Sequence, residues 1–176
     1  MSQSTNRASP LAAMRMLVIL DESAAGQKVA ALAVALARRM SADAVFLLPF
    51  PIEHIEEKSP AEMAAALEAH RAAREQRAAP WFAAALRIAD AAGVNARTQM
   101  SVDENPVAAS LRVAAEQDCE LIVVGSRGRG PLSQLLHASL ASELVQQSPR
   151  PVVVCREDMV LGETQAAGPD EAERRG

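Results

Sequence analysis

Five short apolar runs alternate with stretches of helical period along this chain. The first, Met16-Leu17-Val18-Ile19-Leu20, ends at Asp21. An unbroken apolar run of that length predicts a strand buried on both faces, as in a parallel sheet. From Ala24 to Met40, Val29, Leu32, Leu36 and Met40 recur at helical spacing, and Arg38-Arg39 fall in the last turn, where positive charge suits the dipole. Ala44 to Leu48 reads as a second buried strand, ended by Pro49, Phe50 and Pro51. After a charged connection, residues Pro60 to Ala92 read as helical, with Met63, Leu67, Phe82, Leu86 and Ala89 as the apolar stripe. Pro80 should kink or split that helix, because it lacks an amide hydrogen, and Gly93 should end it. Ala96 to Met100 alternates apolar and polar, which predicts a half-exposed strand at a sheet edge. Asn105-Pro106 is a cap followed by a first helical turn, and Val107, Leu111 and Ala115 supply the buried face. Glu120 to Val124 is the fourth strand. A Gly-rich loop and a helical stretch to about Gln147 follow, and Pro151 to Cys155 is the last strand.

This β-α-β-α-β-α-β-α-β order predicts an α/β domain with a parallel sheet covered by helices on both faces. The 176-residue length suits one domain. The expected organisation is a disordered tail over residues 1–14, a domain over 15–160 and a mobile tail over 161–176.

Composition removes several kinds of chemistry. The net charge of −4 argues against a nucleic-acid coat and against docking on an anionic membrane, and aromatic residues at 2% leave no base-stacking platform. Two cysteines, Cys119 and Cys155, cannot build a disulfide framework or a four-cysteine zinc site, and buried thiols are the expectation. His54, His70 and His137 lack metal-ligand spacing, and His137 has no nucleophile or acid partner. Apolar runs are too short to span a bilayer, and residues 11–20 carry Arg15 without a cleavage site, so the reading is a cytoplasmic protein. Arg71, Arg74 and Arg77 form a basic stripe, read as a solvated face paired with Glu68 and Glu75. Asp21 and Glu22 are adjacent acids that need not converge.

Candidate chemistry concentrates in Gly125-Ser126-Arg127-Gly128-Arg129-Gly130-Pro131, between a buried strand and a helix. Ligands of such sheets bind at the carboxyl ends of strands, and glycines let backbone N–H groups converge on an anion. Phosphate is therefore the expected ligand chemistry. The loop is not a Walker A motif, because Gly130 is followed by Pro131 and Leu132, and the only lysines are Lys28 and Lys58. Nor is it the dinucleotide fingerprint, whose glycine spacing is reversed here.

The segment LIVVGSRGRGPLSQLLHASLASELVQQSPRPVVVC closely resembles the C-terminal signature of universal stress proteins, and MLVILDESAAGQKVAALAVALARRMSADAVFLL resembles their N-terminal half. The resemblance spans about Met16 to Cys155. It implies an open five-stranded parallel sheet of order 3-2-1-4-5, adenine nucleotide alpha hydrolase-like and Rossmann-like. It also implies that Asp21 and the Gly125 loop face one cleft.

Nucleotide-binding members carry G-x2-G-x9-G followed by Ser or Thr. Gly125 and Gly128 match, Ala138 stands at the third glycine, and Ser139 matches the hydroxyl. The resemblance puts Asp21 near ribose and metal, Ile19 and Phe50 around adenine, and Val124 and Leu140 beside the phosphate loop. Arg127 and Arg129 would offer planar donors to the outer phosphates, with Gly130 completing the loop, and Ser139 would cap the following helix. Ala138 is the departure. On a helical backbone it costs nothing and its N–H still faces the ligand; with positive φ it is strained.

The resulting expectation is a universal stress protein that binds ATP, with Mg²⁺ carried by the nucleotide and Asp21, as a regulatory ligand. A homodimer through strand 151–155 is expected, because that apolar edge carries no guarding charge. The partners are adenine nucleotide and an unidentified protein, with no nucleic acid and no membrane. No catalytic constellation is present. The alternatives are a same-fold scaffold without nucleotide, its cleft spoiled by Ala138, and a weak nucleotide hydrolase using a metal on Asp21.

Overall fold

The computed structural model describes residues 13–52, 59–126 and 133–156, with 133–139 described in backbone course only. The two expected tails lie outside the described residues apart from positions 13 and 14. Met14 already belongs to the fold: its carbonyl accepts from the Asp43 N–H at 2.8 Å.

Among the described residues nine elements follow in order. They are β1 (Arg15–Ile19), α1 (Ala24–Met40), β2 (Asp43–Phe50), α2 (Pro60–Ala91), β3 (Ala96–Val102), α3 (Pro106–Glu116), β4 (Leu121–Gly125), α4 (Ser133–Gln147) and β5 (Val152–Cys155). All strand pairs are parallel, and the sheet order is β3-β2-β1-β4-β5. The continuous apolar runs are explained by two cores, one on each side of the sheet. Met16, Val18, Leu20, Phe46, Leu48 and Phe50 pack with α1 and α2. Leu17, Ile19, Val45, Leu47, Ile122 and Val124 pack with α3 and α4. Alternate residues of one strand thus enter opposite cores, and no position is left for a polar side chain.

The half-exposed third strand is an edge, as its alternation predicts, and β5 is the other edge. Helix starts follow the local signals. Ser23 caps α1 by accepting from Gly26 N–H at 3.2 Å. Asn105 caps α3 by accepting from Val107 and Ala108 N–H at 2.9 and 3.0 Å.

Two expectations need correction. Pro80 does not split its helix; α2 runs unbroken from Pro60 to Ala91 with Pro80 inside it. The lost amide bond is one of many in a 32-residue helix whose second half is held on the sheet by Ala78, Ala85 and Ala89. Nor do Pro49 and Phe50 end β2, which continues to Phe50 beside β3. Pro49 ends only the pairing with β1. Leu47 turns its backbone groups towards β1, where its carbonyl accepts from Leu20 N–H at 2.8 Å. Two residues on, Pro49 faces the same way and has no N–H to offer the Leu20 carbonyl. The ladder stops there, and Asp21 leaves the sheet.

Candidate nucleotide site

Strand order reverses between β1 and β4: the chain leaves β1 towards β2 and β3, then returns to its other side as β4 and β5. Connections from β1 and β4 therefore depart in opposite directions, leaving a crevice at their carboxyl ends. Ile19 is in register with Val124. β1 ends at Ile19 and β4 at Gly125, so Asp21 and Ser126 lie in the connections that leave the carboxyl ends of two neighbouring strands. Asp21 and the start of the Gly-rich loop thus leave the sheet at the same end of adjacent strands; the resemblance implies one cleft between them.

Asp21 is held from the following turn. The Ser23 hydroxyl donates to Asp21 Oδ1 while the same oxygen caps α1. Gly26 makes this packing possible. A Cβ added there would lie 2.5 Å from Asp21 Oδ1, 2.6 Å from its carbonyl oxygen and 3.1 Å from its nitrogen. The first turn of α1 is therefore pressed against Asp21 at a distance only glycine allows. Sequence reading did not single out Ser23 or Gly26; the cap position of Ser23 before an apolar-periodic stretch was the available signal.

Glu22 turns elsewhere. Arg77 on α2 meets it with two parallel bonds, Nε to Oε1 at 3.1 Å and Nη2 to Oε2 at 2.5 Å. The same guanidinium lies 5.3 Å from the centre of the Phe50 ring, within cation–π range. The two adjacent acids thus have different partners and do not converge. The basic stripe divides likewise: Arg71 pairs with Glu68 and Glu75, as expected of a solvated face, whereas Arg77 reaches the turn after β1 and the end of β2.

The remaining predicted site residues separate into groups. Ile19, Val124 and Leu140 are all buried in the core beneath α3 and α4. Phe50 is buried on the opposite face, beneath α1 and α2. Arg127, Gly128, Arg129 and Gly130 lie outside the described residues. Ala138 and Ser139 both fall inside α4, which starts at Ser133. Ser139 therefore does not cap that helix, and Ala138 sits on helical backbone with no conformational cost. The amides of both, in mid-helix, are committed to the carbonyls four residues earlier, contrary to the expectation that the Ala138 N–H faces a ligand.

Both thiols are buried, as expected of structural cysteines. Burial pushes each above its ordinary value of 9.0; for Cys119, Arg15, Arg97 and Arg150 oppose that rise only in part. Neither is a nucleophile at neutral pH. Native protein is expected to react slowly with a thiol-specific disulfide reagent at pH 7, and two equivalents should appear on unfolding. Rapid native reaction at either cysteine would contradict this reading.

Among the described residues no three His, Cys, Asp or Glu side chains gather as a metal cage. One carboxylate at the crevice suits Mg²⁺ bound chiefly through phosphate oxygens, which needs only one or two protein carboxylates. Asp21 is the residue that would hold it, the ion supplying charge neutralisation for the phosphates. No helix among the described residues is long and apolar enough to cross a membrane.

The fold has many solved counterparts. The chain is similar to the universal stress protein UspA from Lactobacillus plantarum, with TM-score 0.61 and 24% identity over 81% of this chain and 97% of that one. It is similar to a universal stress family protein from Burkholderia pseudomallei, with TM-score 0.58 and 23% identity over 83% and 98% of the two chains. The Archaeoglobus fulgidus universal stress protein in complex with dAMP aligns at TM-score 0.53 and 17% identity over 82% and 98%. No curated protein matches the chain. The profile of the universal stress protein family matches residues 13–156. That match covers every element of the sheet and all four helices, and the chain belongs to the universal stress protein family.

Proposed function

We propose that this chain binds an adenine nucleotide, ATP with Mg²⁺, between Asp21 and the loop beginning at Gly125, as a regulatory ligand in a cytoplasmic binding protein. The observation that supports this reading is that Asp21 and the Gly125 loop leave the carboxyl ends of the two neighbouring strands between which strand order reverses. Two structural relatives, described in complex with cAMP and with dAMP, support adenine nucleotide as the ligand class. A binding role rather than catalysis is supported by the side chains among the described residues: Glu22 is engaged by Arg77, and both thiols are buried. Slow hydrolysis through a metal on Asp21 is the most that this set would support.

One observation favours a second reading, a scaffold of the same fold without nucleotide. With Ala138 and Ser139 inside α4, the third motif position offers no uncommitted amide to a phosphate. Calorimetric titration of ATP and Mg²⁺ separates the two readings. Saturable heat is expected from the wild type. Ala138→Gly should cost about 1 kcal/mol of stability, as glycine does in a helix interior, without tightening binding. Absence of heat from both proteins would sink the nucleotide reading and leave the scaffold.

A further inference from the structure

We propose that Arg77 is a positioning residue of the crevice, a clamp that ties the turn after β1 to the end of β2 and so sets where Asp21 stands. This deepens the nucleotide reading and, for its effect on affinity, rests on it. Three elements distant in sequence meet at one guanidinium. Glu22 lies in the turn between β1 and α1, Phe50 is the last residue of β2, and Arg77 is in the middle of α2.

The pairing is of the kind that holds geometry. Two parallel N–H···O bonds fix the planar fork against the carboxylate, which a lysine cannot reproduce. The Glu22 side chain is 16% exposed and that of Arg77 42%, so the carboxylate is largely withdrawn from solvent. Phe50, at 4% exposure, is an immobile plate for the guanidinium.

Position along α2 adds a second, independent reason. Residues 60–77 contain no buried position, and Ala78 is the first. Arg77 therefore stands where α2 leaves the sheet, at the level of the strands' carboxyl ends, and its pairing with Glu22 is a tie between that level and the turn. Asp21 is the neighbour of Glu22 and is packed against Gly26 on its other side. Fixing Glu22 fixes the one backbone segment from which Asp21 projects. Pairing Glu22 with Arg77 also takes that second carboxylate away from Asp21 at a site meant for phosphate, where two would repel the ligand.

The test uses the full chain with Arg77→Met, Arg77→Lys and Glu22→Gln, and with Arg71→Met as a control at the solvated part of the same stripe. Without nucleotide, hydrogen exchange of the peptide spanning residues 20–27 should rise in Arg77→Met and Glu22→Gln, rise less in Arg77→Lys, and stay at the wild-type level in Arg71→Met. With ATP and Mg²⁺, affinity should fall on the order of tenfold in Arg77→Met, as expected when a binding group is misplaced, and be partly restored in Arg77→Lys. Unchanged exchange in both Arg77→Met and Glu22→Gln overturns the clamp whether or not nucleotide binds. Faster exchange with unchanged ATP affinity, in a wild type that binds ATP, overturns the positioning role. A wild type that does not bind ATP defeats the nucleotide reading instead, and the exchange result then decides the clamp alone.

Discussion

Gly26→Ala is expected to destabilise the protein and to displace the acid of the crevice, although alanine is the better helix former. Helix propensity alone favours alanine by about 1 kcal/mol in a helix interior. Against that, the added Cβ would meet the carbonyl oxygen of Asp21 at 2.6 Å and its nitrogen at 3.1 Å. Backbone atoms cannot rotate out of the way as a side-chain end can, so α1 or the turn must move. Overpacking of this kind costs about 1–3 kcal/mol, which exceeds or cancels the propensity gain. For a domain of this size each kcal/mol lowers Tm by about 2–4 °C. Because the atoms that must shift are those of Asp21, ATP affinity should fall further than the stability change explains. Thermal unfolding and ATP titration on the same variant check both halves. A Gly26→Ala protein more stable than the wild type and with intact binding would show that the turn yields without cost.

Val154→Pro is expected to turn a dimer into a monomer while leaving the fold intact. Among the described residues β5 pairs with β4 alone, and the pattern of its bonds shows which backbone groups are left over. Ile122 N–H donates to the Pro151 carbonyl at 3.0 Å and Ser126 N–H to the Cys155 carbonyl at 2.7 Å. Residues 151, 153 and 155 therefore face β4, and residues 152 and 154 turn their N–H and C=O groups to the open edge. The opposite edge, β3, carries the exposed Arg97, whereas β5 is Val-Val-Val-Cys with the three valines half-buried. An apolar edge without charge or proline invites a second copy to extend the sheet. Proline at 154 removes an outward N–H that β4 does not use, so it should block that pairing at little cost to the monomer. Sedimentation equilibrium at micromolar concentration should give a dimer for the wild type and a monomer for the variant. A monomeric wild type, or a dimeric Val154→Pro, would place any assembly elsewhere.

The reach of sequence reading is uneven along this chain in a way that follows contact range. Strand β1 is legible because the run Met16 to Leu20 is apolar throughout, and α3 because Asn105 and Pro106 state its start in two residues. Where the reading failed, a neighbouring strand or helix decided. Pro49 ends one ladder and not the other because β2 has two neighbours, and only the β1 side needs that N–H. Ser139, read as a cap from motif spacing, lies inside α4, because a motif states which residues recur and not where a helix begins.

For the crevice, the sequence by itself determined the ingredients: an acid directly after a buried strand, a Gly-rich loop after another, and a run of elements that yields a parallel sheet. Those are properties of neighbouring residues, set by period, burial and capping. Tertiary structure alone decided which residues share the site. It separated Phe50 from Ile19 by sending them into opposite cores, pressed Gly26 against Asp21, and joined Glu22 to Arg77 across 55 positions of sequence. On its own helix Arg77 has Ala73, Arg74, Pro80 and Trp81 three and four residues away, none of them a carboxylate. Only the packing of α2 on the sheet, which brings it to the turn after β1, selects Glu22 as the partner it meets with two bonds.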